Sequence, residues 1–147
     1  MKPFALFAWI AVALLFAYGV YMFWQAGKVP ATINLSSAAN FKSLPATVCT
    51  LSNDANTISG TLYVFHDAAR FDITSTTNGA PVNTNIIVTR EDSAFIWQGG
   101  QTVGAKYDYG ALYNSLQLEL ITQVSCTLWW IPAGDLFVVP QDVTIPK

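Results

Sequence analysis

Charged residues are scarce in this chain of 147 residues. Only 11% of the residues are Asp, Glu, Lys or Arg, whereas 52% are hydrophobic. Beyond residue 30 the chain has five basic and nine acidic residues, a net charge of −4. A nucleic-acid-binding surface needs a basic patch that neutralises phosphates, and this sequence offers no such patch. Nucleic acid is therefore not an expected partner.

Side chains that usually perform catalysis or hold metals are also few. His66 is the only histidine, and Cys49 and Cys126 are the only cysteines. Two cysteines and one histidine cannot complete a four-ligand zinc site. There is no G-x-S-x-G motif, and the glycines of segment 99–104 lack the Lys-Ser/Thr of a phosphate loop. The sequence predicts no enzyme, no cofactor, no metal site and no catalytic residue.

One long apolar run stands out against this composition. It extends from Phe4 to Trp24 and reads FALFAWIAVALLFAYGVYMFW, and no charge falls between Lys2 and Lys28. A helix of these 21 residues is about 30 Å long, the thickness of a bilayer core. We therefore expect residues 1–30 to be a membrane anchor and tether. Residues 31–147 then form one small β-rich domain outside the cytoplasm.

A cleaved secretory signal is the alternative for this run. Such a signal has an apolar core of about 7–15 residues and a small residue at the −3 position of its cleavage site. The run is longer than that, and a cut after Ala26 would place Trp24 at −3. We expect a single-pass protein of the cytoplasmic membrane, with its N-terminus inside and its domain periplasmic or on the cell surface.

The two cysteines predict a disulfide bond. Both Cys49 and Cys126 lie beyond the anchor, and an even number of cysteines in a small exported domain is typical of a structural disulfide. The orientation of the chain rests mainly on this bond, because Lys2 and Lys28 give little charge asymmetry. The alternative is a pair of buried free thiols.

Beyond the anchor, the hydrophobic period indicates mostly strands. A short amphipathic helix is predicted over residues 34–44, before Pro45. Strands are predicted over 47–51, 60–65, 69–74, 82–89, 94–98, 103–107 and 127–130, with an extended segment at 137–145. Residues 109–120 fit both spacings and are interpreted as a short helix. The expected fold class is α+β: an N-terminal transmembrane helix, then a curved antiparallel β-sheet (half-barrel) with one or two short helices.

The order of the strand motifs resembles a known group. The motifs are Gly60-Thr61-x-Tyr63-Val64, Arg70-Phe71-Asp72, Ala94-Phe95-Ile96-Trp97 and Cys126-x-x-Trp129. They resemble small anchored or exported bacterial domains of unknown function, whose pattern is similar to the LolA/LppX type of half-barrel. That type carries acylated lipoproteins or lipids. The resemblance covers residues 35–145 and implies an apolar or acylated ligand, but no catalytic residues. A LolA-like carrier moves freely in the periplasm, whereas this chain is expected to be tethered.

Aromatic residues supply the candidate binding site. Trp129 and Trp130 are adjacent, so in a strand they point to opposite faces. At least one of them should therefore meet a second apolar layer, a ligand, a partner or the membrane surface. Trp129 matches the Cys-x-x-Trp pattern and is expected in the core. Trp130, Trp97 and Tyr63 are the candidate contacts to a ligand or partner.

Two functions follow from this reasoning. The first is a membrane-tethered extracytoplasmic binding module that holds an apolar or acylated ligand. The alternative is a non-catalytic accessory or structural subunit of a membrane or cell-surface protein assembly. The expected partners are the lipid bilayer together with a lipid, a lipidated protein or other membrane protein subunits.

Overall fold

The computed structural model describes residues 3–26, 29–30, 32–130 and 132–146. The apolar run forms helix α1, Pro3–Ala26. Two further α-helices are short, α2 at Ala39–Lys42 and α3 at Tyr109–Ser115, and 3₁₀ helices cover Leu118–Leu120 and Gly134–Phe137. None of the helices in these described ranges is both long and apolar enough to cross a membrane. The membrane-crossing role expected of the run stays a prediction.

Seven antiparallel strands form one open, curved sheet, which confirms the predicted α+β fold class. Six strands follow one another as hairpins, and the seventh returns beside the first, giving the order β6-β5-β4-β3-β2-β1-β7. The strands are β1 Thr47–Ser52, β2 Ile58–Phe65, β3 Ala68–Thr77, β4 Ala80–Val88, β5 Ser93–Gln98, β6 Ala105–Asp108 and β7 Gln123–Leu128.

Two tight turns set the register of the longest hairpins. His66 and Asp67 join β2 to β3, and Asn78 and Gly79 join β3 to β4. All four residues have positive φ, between 50° and 80°, as a two-residue type I′ turn requires. The only histidine therefore lies in an exposed turn, as the position between two predicted strands suggested.

One face of the sheet, the helix-covered face, carries the main core. Alternate strand residues such as Leu62 and Phe71 are fully buried there, under α2 and α3. The rings of Phe41 and Tyr109 pack edge-to-face at 5.4 Å between centroids, and both contact Phe71. The Tyr109 hydroxyl donates a hydrogen bond of 2.8 Å to the Leu35 carbonyl. Side chains thus fill the space between the helices and the sheet.

The C-terminal segment, residues 132–146, crosses the opposite face, here called the outer face. Arg70 on β3 donates to the Leu136 carbonyl at 3.0 Å. Farther on, the Gly104 amide donates to the Thr144 carbonyl at 2.9 Å, just before β6. A Cβ on Gly104 would lie only 2.6 Å from the Ile145 side chain, so the segment can approach this closely because residue 104 is glycine. Both faces of the sheet are therefore covered.

The structure confirms the predicted disulfide. Cys49 on β1 and Cys126 on β7 stand directly opposite each other and are bonded, although they are 77 positions apart in sequence. Closing a loop of this length is worth about 4.5 kcal/mol in the chain-entropy model. The bond therefore stabilises the one strand pair that is not a local hairpin.

Most predicted elements shift by one to three residues at their ends, and three differ more. The helix expected over 109–120 ends at Ser115. The helix expected over 34–44 is only Ala39–Lys42, because the Asn34 side chain accepts from the Ser36 amide and stabilises a turn. The strand expected over 127–130 is Gln123–Leu128. Its exposed residues Gln123, Ser125 and Thr127 alternate with half-buried ones. This alternation marks a strand that begins before Cys126 and ends before the two tryptophans.

Loss of the disulfide should destabilise the fold strongly. We expect Cys126→Ala to lower the free energy of unfolding by about 2–5 kcal/mol, because the unfolded chain is no longer constrained. Ser125→Ala, at an exposed neighbour on the same strand, should change it by less than about 0.5 kcal/mol. Chemical denaturation measures both. Two freely alkylated thiols in unreduced, denatured protein would contradict the bond.

Tyr109 should make the stability depend on alkaline pH. Burial raises the pKa of this phenol, and the nearby Tyr113 adds to the effect, whereas in the unfolded chain the pKa is about 10. The folded state thus keeps a proton that the unfolded state loses, so stability is full below pH of about 10 and falls above it. Tyr109→Phe should flatten this fall and cost about 1 kcal/mol at neutral pH through the lost hydrogen bond. Denaturation at several pH values, with Tyr107→Phe as the exposed control, checks this.

Candidate functional site

Four aromatic side chains pack together on the outer face, and we call them the aromatic cluster. Its members are Tyr63, Phe65, Trp129 and Phe137. The ring of Trp129 lies 5.3 Å from that of Tyr63 and 6.1 Å from that of Phe137, between centroids. Phe65 lies 6.4 Å from Trp129 and 6.1 Å from Phe137. The cluster thus joins β2 to the chain after β7 and to the C-terminal segment.

Strand periodicity and one backbone bond put these rings together. Tyr63 and Phe65 are two residues apart on β2, so both point to the outer face. The Trp129 amide donates to the Ala46 carbonyl at 2.8 Å, which continues the β1–β7 ladder beyond the strand ends. All four rings are half-buried. The cluster is therefore partly open to solvent.

Two exposed apolar residues directly follow members of the aromatic cluster in sequence. Trp130 follows Trp129 and is 57% exposed, and Val138 follows Phe137 and is 64% exposed. The His66 ring stacks on Phe65 at 3.9 Å. A large exposed indole is typical of a contact surface rather than of a solvated one.

Trp97, the third predicted contact, lies elsewhere on the outer face and is only 6% exposed. The Arg70 guanidinium carbon is 5.9 Å from the centre of its ring. Arg70 also donates to Asp72 at 2.7 Å and to the Leu136 carbonyl at 3.0 Å. Arg70 thus holds the C-terminal segment onto the sheet. The structure brings Tyr63 next to Trp129, exposes Trp130 and leaves Trp97 beneath the surface.

The Cys-x-x-Trp pattern predicted that Trp129 lies in the core under the helices. The structure places Trp129 on the opposite side of the sheet. Cys126 faces the helix-covered side, and a residue three positions along an extended chain points to the other side. Trp129 therefore joins the outer face. The prediction that the two tryptophans divide between environments holds in a different form: Trp129 packs in a second apolar layer and Trp130 is exposed.

Sequence reasoning did not select Phe65 and Phe137 as site residues. Phe65 carried a usable signal, because it follows Tyr63 by two positions on a predicted strand. Phe137 carried none, because it reaches the cluster only through the path of the C-terminal segment. Its partner Phe65 is far away in sequence.

Cavities beneath the helices are small. An apolar cavity of about 50 Å³ lies at one end of the core, between Ile58, Ile73 and Leu118. An open groove of about 370 Å³ runs beside β7. Its walls include Ile33, Tyr113 and Ile121, and residues 122–125 form its side along the strand. The cavity between Ile58, Ile73 and Leu118 is therefore too small for a long chain, whereas the groove beside β7 is open.

The aromatic cluster offers apolar contact together with the hydrogen-bonding groups of Tyr63 and Trp129. Among the described residues, no three or more His, Cys, Asp or Glu side chains are grouped as metal ligands would be. Glu91 lies in an exposed turn, where its own backbone amide and the Thr89 side chain lower the pKa of its carboxyl group. Nothing links that carboxyl group to the aromatic cluster.

Comparison of the chain with protein-family models, curated proteins and solved structures finds no match. The resemblance to LolA-type half-barrels stays a prediction.

The two tryptophans should respond differently to truncation. Trp129→Ala removes a ring that touches three others, so we expect a loss of about 2–4 kcal/mol of stability, towards the lower part of the range for buried aromatics. Trp130→Ala removes a mostly exposed ring and should change stability by less than about 0.5 kcal/mol. Urea denaturation compares them. Equal destabilisation by both changes would mean that Trp130 is ordinary core.

Proposed function

We propose that this chain is a non-catalytic accessory subunit of a membrane or cell-surface assembly, and that it packs against a protein partner. The location of its apolar surface carries this proposal. The side chains between the helices and the sheet fill the core, whereas large apolar groups remain exposed on the outside. Trp130 and Val138, which follow Trp129 and Phe137 of the aromatic cluster in sequence, are the exposed groups of the β-rich domain that best fit a protein contact.

The N-terminal helix supports attachment to a membrane. Apolar residues lie on all sides of α1, and Leu15, Phe16 and Phe23 are each more than two-thirds exposed. A helix that is apolar all round is normally covered by lipid or by protein. Together with the run of 21 uncharged residues, this supports the anchor, with the domain outside the cytoplasm. The disulfide also supports a location outside the cytoplasm, because such bonds persist in oxidising compartments.

An apolar or acylated ligand is the second candidate, and one observation favours it. The cavity of about 50 Å³ between Ile58, Ile73 and Leu118 is lined mainly by apolar groups. Pockets that enclose a drug-sized ligand have volumes of about 300–1,000 Å³. A ligand of acyl-chain length would need Phe41, Tyr109 or Leu118 to move. The accessory-subunit function needs no such rearrangement, and for this reason it is preferred.

Extraction in mild detergent separates the two functions. We expect native mass spectrometry of the full chain to reveal a stoichiometric protein partner. Trp130→Ala should lower the fraction of chain that retains this partner by at least about half, with the unfolding midpoint unchanged. Val103→Ala is a matched control, because Val103 is 60% exposed but lies near the β6 edge. It should leave retention unchanged.

Two outcomes contradict the proposal. A monomer that carries lipid in an organic extract and no protein would favour the ligand-binding module. If Trp130→Ala and Val103→Ala lower the fraction of chain that retains the partner equally, then the surface near the aromatic cluster has no special role in binding. Protease added to spheroplasts tests the location separately, since digestion of the domain before lysis is expected. Complete protection would place the domain inside.

A further inference from the structure

We propose that β7 is a docking strand, and that an extended segment of a partner protein adds to the sheet along its free edge. This inference rests on the proposed function and deepens it by stating what the partner presents. The predicted occupant has apolar side chains at alternate positions and a basic residue near one end.

Backbone groups along one side of β7 have no strand partner in the described chain. β7 pairs only with β1. Trp129 bonds Ala46, and in an antiparallel ladder the bonded pairs recur every second residue, so Thr127 and Ser125 also face β1. Val124, Cys126 and Leu128 therefore direct their N–H and C=O groups away from the sheet. Only another extended backbone matches such a row.

The sequence of β7 lacks the residues that normally protect an edge strand. Its six residues, Gln-Val-Ser-Cys-Thr-Leu, contain no charge, proline or glycine. The opposite edge strand, β6, has only four residues, with Lys106 and Asp108 among them. The chain just before β6 is also bridged to the C-terminal segment at Val103 and Thr144. Natural proteins protect edges with short length, charge or a cover, so the contrast marks β7 as the open edge.

The groove of about 370 Å³ gives a docked strand a place for its side chains. Ile33, Tyr113 and Ile121 line it on the helix-covered side, next to Gln123, Val124 and Ser125. Alternate residues of an added strand would point into this groove, and the others would point to solvent. Helix α1 also contacts β7, and the part of the strand beside the groove is the part proposed to dock a segment.

The acidic residues near the start of β7, at Gln123, favour a basic partner. Asp54 is exposed and accepts hydrogen bonds from Thr122 and Gln123, at 2.9 and 3.1 Å. Glu119 is exposed in the 3₁₀ helix that borders the groove. In the described residues, the basic side chains are engaged elsewhere: Lys42 pairs with Asp92, Arg70 with Asp72, Arg90 with Asp67, and Lys106 lies over Phe95. A second copy of β7 brings no cation to Asp54, so a different, basic segment is the better occupant.

A synthetic strand tests the inference on the full chain in mild detergent. The probe is the peptide acetyl-Lys-Val-Thr-Val-Thr-amide. Its addition should slow hydrogen exchange of the Val124 and Cys126 amides at least tenfold. The Ser125 amide, which already faces β1, is the internal reference and should change little. A probe methylated at the amides that would face β7 should not bind.

Three variants locate the contact. Val124→Pro removes an outward N–H without breaking a bond to β1, and should weaken binding of the probe at least tenfold. Lys106→Pro makes the corresponding change on the opposite edge and should alter binding less than about twofold. Asp54→Asn should weaken the lysine-bearing probe about threefold but leave a probe without lysine unchanged.

Several results would overturn the docking strand. These are unchanged exchange at Val124 and Cys126, equal binding of the methylated probe, and equal weakening by the two proline variants. Self-association that depends on concentration and disappears in Val124→Pro would assign the edge to a second copy instead. Failure here is separate from failure of the proposed function: a retained protein partner that Val124→Pro does not release leaves the accessory subunit supported and removes only the docking strand.

Discussion

The pairing of β7 with β1 is the contact on which the rest of this structure depends. Five of the six strand pairs are consecutive hairpins, so their formation needs only short loops to close. The β1–β7 pair closes 77 residues, and it costs much more chain entropy before its hydrogen bonds form. The disulfide stabilises this pair. It also fixes where α3, the groove and Trp129 lie relative to the first hairpin.

This pairing explains why the domain has two apolar layers. Cys49 and Cys126 face the helices, so the residues beside them in sequence face outward. On β2 the outward residues are Tyr63 and Phe65, and their apolar rings need a cover of their own. The C-terminal segment supplies it with Phe137, while Arg70 anchors the Leu136 carbonyl. Along each strand, one set of side chains packs under the helices and the alternate set faces outward. The sheet therefore has an apolar layer on each side.

Much of the fold was predictable because it depends on local pattern. Alternation identified β2 to β5 within a few residues, and Asn78-Gly79 marked a hairpin turn. The path of the C-terminal segment was not predictable. The bond from Arg70 to Leu136 joins residues 66 positions apart, and neither residue carries a sign of the other. For the site, the rule that strand side chains alternate selected Trp130, which is exposed. Trp97 is also an aromatic residue of a predicted strand, but it is buried under Arg70.

Strand β7 shows why the open edge was hidden in the sequence. Its Gln-Val-Ser-Cys-Thr-Leu pattern describes an ordinary half-buried strand, and nothing in it tells a central strand from an edge strand. The distinction is one of topology, because only the order β1-β7 leaves Val124 and Cys126 with outward backbone groups. An uncharged strand in the middle of a sheet is unremarkable, whereas the same strand at an edge risks aggregation unless something covers it. The protected β6 edge shows that this chain can guard an edge with charge and a bridge. The absence of such protection on β7 is therefore best explained by a strand that docks there.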